Sequence, residues 1–232
     1  MKRALLFAVI FLTAGLLSAQ TPLSIGGNIG LNVPIGSFND VYKSGVSGEV
    51  AVFYSTPAPG LDFTFTIGYN AYTYKNDFFL KQVSTNFSGY TTDFNADWKA
   101  SDIPVMLGVR FHLPTPGLSP YVSGEIGVHM MKFSDRFKEI SMNTSSSNPL
   151  HIELNNNTED ASETGFGFAI GAGIEFTVAP KIGLDLGLKY NYAGVVFSKK
   201  YTVVRNSNSS FTSEELKNAG YITARGGLII HL

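Results

Sequence analysis

From Leu61 to Tyr74 the chain reads LDFTFTIGYNAYTY, and its residues sort cleanly onto two sides. Leu61, Phe63, Phe65, Ile67, Tyr69 and Ala71 share one side; Asp62, Thr64, Thr66, Gly68, Asn70 and Tyr72 share the other. Alternation with period two is the mark of a β-strand with one apolar and one polar face. The stretch is 14 residues long, against about 5–6 for a common globular strand.

Seven more stretches repeat the pattern, at residues 23–34, 46–55, 101–113, 121–133, 164–178, 181–192 and 220–232. Pro104 cannot donate to a ladder and is expected near a strand start, where that is tolerated. The connections follow a rhythm. Those after the second, fourth and sixth strands are short and rich in proline (TPAPG, PTPGLSP, Ala179-Pro180). Those after the third, fifth and seventh are long and polar, at about residues 75–100, 134–163 and 197–219. In the last of these, Thr212 and Glu215 have capping-box spacing before Gly220, which predicts a short surface helix.

Eight antiparallel strands in up-and-down order put alternate connections at opposite ends. One end then carries tight turns and both termini, and the other carries long loops. Outer-membrane barrels show this asymmetry, with short periplasmic turns and longer extracellular loops. The expected fold is therefore all-β: an eight-stranded, antiparallel, up-and-down transmembrane β-barrel.

Alternation alone does not say which face is outside. A soluble barrel of lipocalin type hides its apolar face and can decorate its polar face with Lys and Glu. Here the polar face is mostly Gly, Ser, Thr, Asn and Ala, small enough to fill the crowded interior of an eight-stranded barrel. The apolar face carries essentially no charge, as lipid demands, since Arg or Lys at the midplane costs about 2–4 kcal/mol. Aromatics agree: Tyr54, Phe63, Phe111 and Phe176 fall near the turn end of that face, and Phe166, Tyr190 and Tyr192 near the loop end. Two such girdles sit at headgroup depth in membrane barrels.

The first residues fit this compartment. Lys2 and Arg3 precede an apolar run to Leu17, and Ser18-Ala19-Gln20 offers a small-residue cleavage site. Residues 1–19 are expected to be a secretory signal peptide, and residues 20–232 the barrel. Only 15% of residues are charged, with a net charge of −1, and no basic stripe suggests a nucleic-acid partner. There is no cysteine, which removes disulfides and thiolate metal sites. No residue set implies a cofactor or a metal.

The inward face carries Glu49, Asp62, Glu125, Glu175 and Asp185 together with Arg110, Lys189 and Arg225, and also His112, His129 and His231. Charges removed from water need partners, and the near balance of signs predicts a network of lumen ion pairs that plugs the barrel. The same residues could instead line a pore for small solutes. A lipid A-modifying enzyme would need Ser, His and an acid at the outer rim. His129 with Ser134 and Asp135 beyond it is the one candidate there; a satisfied lumen histidine is the competing reading. The glycines of GFGFAIGAG lack the spacing and the following helix of a nucleotide loop. They read as small inward positions.

The chain resembles the outer-membrane β-barrel families of Bacteroidetes and related bacteria, of the OmpA/OmpX size class. The carriers are Ser18-Ala19-Gln20, the segment Pro34-x-Gly36-x-Phe38, and the last strand. There Arg225, Gly227, Ile230 and Leu232 fit the spacing of an assembly signal, with aliphatic Leu232 where an aromatic is usual. The resemblance implies recognition by the barrel assembly machinery and partners in outer-membrane lipid and lipopolysaccharide, with the barrel as a monomer. It also implies roles from surface interaction through the long loops to membership of a secretion machine.

Overall fold

A computed structural model of the chain describes residues 22–75, 77, 91–96, 99–113, 118–134, 137–143, 161–195, 199–205, 209–215 and 218–232. The expected signal peptide lies outside them. Among the described residues, twelve strands and one short helix follow in chain order. They are β1 (Leu23–Ile35), α1 (Ser37–Val41), β2 (Gly45–Ser55), β3 (Leu61–Thr73), β4 (Thr91–Ala96), β5 (Lys99–His112), β6 (Leu118–Ser134), β7 (Phe137–Asn143), β8 (Ala161–Ala179), β9 (Ile182–Ala193), β10 (Lys199–Arg205), β11 (Ser209–Glu215) and β12 (Ala219–His231).

Eight strands close a barrel in the order β1-β12-β9-β8-β6-β5-β3-β2, each antiparallel to its neighbours. β1 pairs with both β2 and β12, so no sheet edge is left to face lipid. These are the eight stretches read from the alternation. Pro104 lies well inside β5 rather than at its start. The β3–β5 ladder passes from Ile67↔Val105 to Asn70↔Asp102 and omits the residues between, where Pro104 faces Gly68.

The loop end differs from expectation. Residues 75–100 and 134–163 contain β4 and β7, which pair with each other in a separate two-stranded sheet. The predicted helix after Thr212 is absent: Ser209–Glu215 is strand β11, paired with β10. A capping box is a local signal, and here cross-strand pairing outweighs it. The register sets Lys199 opposite Glu215 and Lys200 opposite Glu214, and places Val203 and Val204 in the partner strand.

The two faces of the barrel sort as the alternation requires. Outward positions expose Ile29 (77%), Leu107 (62%), Ile126 (59%) and Leu188 (60%), while inward Asn32, Asp102, His129 and Asp185 are each at 0%. Among the described residues of the barrel strands, outward charge appears only at the loop-end rim, at Lys99 and Lys132, which face Thr73 and Ser101 in the register. From Ile103 in β5 to Leu113 just after it, the outward band spans ten rises of about 3.3 Å; tilted by about 40°, that is a height of about 25 Å, the thickness a membrane barrel presents to lipid.

Candidate functional site

The lumen is filled in layers. At the loop end, Gly36 has φ +58 and turns the chain from β1 into α1. That left-handed turn aims Phe38 into the mouth, where it is buried with Tyr72, Ala100, Met131, Phe133, Ala193, Val195, Ala219 and Tyr221. Phe38 meets Tyr42 and Tyr72 with ring centroids 5.0 Å apart in each pair, and Tyr72 meets Tyr221 at 5.6 Å. Lys75 Nζ ties the lid down through Asn39 Oδ1 at 3.0 Å and the Asn39 carbonyl. The Pro34-x-Gly36-x-Phe38 segment thus forms an aromatic stopper.

Beneath it lies a buried polar layer. Asp102 accepts hydrogen bonds from Tyr221 Oη (2.8 Å) and Asn70 Nδ2 (3.1 Å), and its Oδ2 lies 2.9 Å from His129 Nδ1. Asn70 Oδ1 accepts from Asn32 Nδ2 at 2.9 Å, Asn32 Oδ1 from Thr223 at 2.7 Å, and Thr223 from Asn191 at 3.1 Å. His129 is therefore under the stopper and not at the outer rim. Asp135, its suggested partner in lipid A chemistry, lies outside the described residues.

The charged layer follows. Lys189 Nζ reaches Glu49 Oε2 at 2.5 Å and Glu125 Oε2 at 3.0 Å. Arg225 Nη1 pairs with Glu49 Oε1, and its Nε stands 3.8 Å from Asp185 Oδ2. Arg110 Nη2 donates to Asp185 Oδ1 at 2.8 Å, and Nη1 lies 3.6 Å from Glu175. The Arg110 guanidinium is held between two rings, 3.7 Å from the Tyr121 centroid and 4.6 Å from that of Phe53. Seven of the eight charged residues singled out from the sequence meet here. Asp62 stands apart, with His112 Nε2 at 3.1 Å as its partner.

The final strand divides its motif between the two faces. Arg225 joins the charged layer, and Gly227 packs against Gly27 and Asn28 so closely that a Cβ would meet the Gly27 carbonyl at 2.1 Å. Ile230 and Leu232 are about half exposed, at 51% and 48%.

The turn end opens into a vestibule of about 250 Å³, lined by residues that include Ser24, Phe53, Asp62, Arg110, Glu175 and His231. Between the charged layer and the stopper lies a small cavity of about 20 Å³, lined by residues that include Glu49, Lys189 and Tyr221. Sequence reasoning missed the stopper, the Asp102 cluster and the placement of Ile229, an apolar residue turned inward at 1% exposure. The signal for Phe38 was present in Gly36, since a glycine two residues before a bulky ring allows a sharp reversal.

The model of the family described as outer membrane protein beta-barrel domain matches residues 4–218. No curated protein matches. Among solved structures, the chain is similar to Neisserial surface protein A, with a TM-score of 0.53 at 16% identity over 91% of this chain and 98% of that one. It is also similar to OprG from Pseudomonas aeruginosa, with a TM-score of 0.47 at 13% identity over 91% and 99%. At such identity the first of these speaks for the fold alone. With the match across the chain, the closed eight-stranded barrel and its uncharged outer band, the protein belongs to the outer membrane protein β-barrel domain family and resides in the outer membrane.

Proposed function

We propose that this barrel is a non-conducting scaffold whose purpose is to present its loops, residues 75–100, 134–163 and 197–219, at the cell surface. The observation that carries this reading is the filling of the lumen among the described residues: an aromatic stopper lies over a polar cluster over ion pairs, with a cavity of about 20 Å³ among them. A hydrated ion does not fit past such a series without breaking several buried ion pairs. The ion pairs then serve as a structural plug. The candidate enzyme at the outer rim loses support, because His129 is enclosed and paired with Asp102. In this reading the barrel works as a monomer in contact with outer-membrane lipid and lipopolysaccharide. Arg225, Gly227, Ile230 and Leu232 address it to the barrel assembly machinery. Planar-bilayer recording tests the closure. The expected result is an absence of stable openings at moderate voltage; large, long-lived conductance steps would overturn it and favour a porin.

A further inference from the structure

The turn end of the lumen holds an arrangement that a scaffold does not require. Ser24 on β1 and His231 on β12 are direct register partners, 207 positions apart in the chain. Ser24 Oγ lies 2.9 Å from His231 Nδ1, and the opposite ring nitrogen, Nε2, lies 3.1 Å from Glu175 Oε1. Glu175 is on β8, separated from β12 by β9. Its side chain must cross β9 to reach the imidazole, and it does so at Gly183. A Cβ on Gly183 would stand 2.7 Å from Glu175 Oε1. The missing side chain is what lets the carboxylate through.

All three groups line the 250 Å³ vestibule. The His231 side chain is 40% exposed there. The space is large enough for several water molecules or a small organic ester. Phe53, Leu61 and Ile229 give it an apolar wall, and Arg110 a cationic donor.

We propose that Ser24, His231 and Glu175 form a nucleophile–base–carboxylate relay, and that Ser24 attacks small carboxylic esters entering from the periplasm. A serine is a weak nucleophile until a base within hydrogen-bond reach takes its proton, and the base must be held by a third group. Here the neutral imidazole accepts the Ser24 O–H at Nδ1 and keeps its own N–H at Nε2, directed at Glu175. On attack, the Oγ–carbon bond forms and the hydroxyl proton moves to Nδ1. The imidazolium then faces the Glu175 carboxylate. Collapse breaks the ester C–O bond, and the Nδ1 proton leaves with the alkoxide as an alcohol. Water adds to the acyl-Ser24, giving one proton to Nδ1. That proton returns to Oγ as the carboxylic acid departs. Ser24 and His231 are the catalytic residues, and Glu175 is a positioning residue acting through His231.

The test uses the full barrel folded in detergent micelles, with folding read from the heat-dependent shift of mobility in SDS gels. A fluorophosphonate probe followed by peptide mass mapping should give one adduct, on Ser24. The labelling rate should fall at least tenfold in His231→Gln. In Glu175→Gln and Gly183→Ala the rate at saturating probe should fall while the probe concentration for half-maximal rate stays unchanged. p-Nitrophenyl acetate should give a burst of about one equivalent that Ser24→Ala abolishes. Should His231→Gln fail to fold, wild-type protein labelled before and after unfolding in urea replaces it, and only the folded form should react. A folded wild-type barrel without an adduct on Ser24, equal labelling in His231→Gln, or equal labelling of unfolded chain would each overturn the proposal.

Discussion

Arg110 is where the energetics of the filled lumen can be worked out and tested. Its side chain is 2% exposed, its strongest partner Asp185 is at 0%, and Glu175 at 10% is its second carboxylate. Arg110→Met keeps a long apolar stem but strands Asp185 with only the more distant Arg225 Nε, 3.8 Å away. Removing one partner of a buried pair costs about 3–5 kcal/mol. Losing a desolvated cation between two rings adds up to about 2 kcal/mol. At about 1.4 kcal/mol per factor of ten, even 3–5 kcal/mol is roughly a 10²- to 4 × 10³-fold change in the folding equilibrium. With a slope of about 2 kcal/mol per molar urea, the midpoint should move down by roughly 2 M. Asp185→Leu should cost a similar amount. The double variant should recover a large part of the summed loss, because an apolar pair of similar volume removes the uncompensated charge together with its partner. The assay is urea titration in phospholipid vesicles, read by far-UV circular dichroism and by heat-modifiable gel mobility. A single-variant loss below about 1 kcal/mol, or a double-variant loss equal to the sum of the singles, would refute the reasoning.

Other perturbations follow from the same geometry. Ile126→Lys, in the middle of the outward band, should destabilise by about 2–4 kcal/mol in the same titration, whereas Leu118→Lys at the turn end should cost about 0–1 kcal/mol. Gly167→Ala would push a Cβ to 2.4 Å from both the His129 ring and the Tyr192 carbonyl, and should lower the urea midpoint measurably. Gly27→Ala, with nothing within 4 Å of the new atom, should leave the midpoint unchanged. Phe38→Ala should speed amide hydrogen exchange at Asn39 and Tyr42, whose N–H groups bond to the Gly36 and Phe38 carbonyls, while exchange in β5 and β6 stays slow.

The barrel was legible in the chain because a strand that divides lipid from a filled lumen must alternate at every residue. The alternation therefore also identified which charges point inward. It did not reveal their partners. Glu49 and Asp185 meet cations from other strands only at heights fixed by the tilt and stagger of the closed barrel, and no local pattern encodes these. Asp62 shows the limit: by sign it belonged with Arg110, its register partner, yet the nearest counter-group is His112. The β10–β11 hairpin shows another, since a helix cap at Thr212 is read from four residues while the pairing that overrides it needs a second strand. Phe53 and Ile229 are apolar yet inward, because the wide turn end has room for a ring and a branched chain beside the vestibule.

The barrel can sit in the membrane only if the apolar side chains of its strands face lipid. The chain has no cysteine, so single cysteines can be placed in turn from residue 63 to residue 70 of β3 and spin-labelled in reconstituted vesicles. Labels at 63, 65, 67 and 69 should collide freely with oxygen dissolved in the bilayer, and labels at 64, 66 and 70 should be shielded from it. The opposite phase, with the odd positions reached by a water-soluble nickel reagent and the even ones by oxygen, would contradict the inside-out arrangement directly.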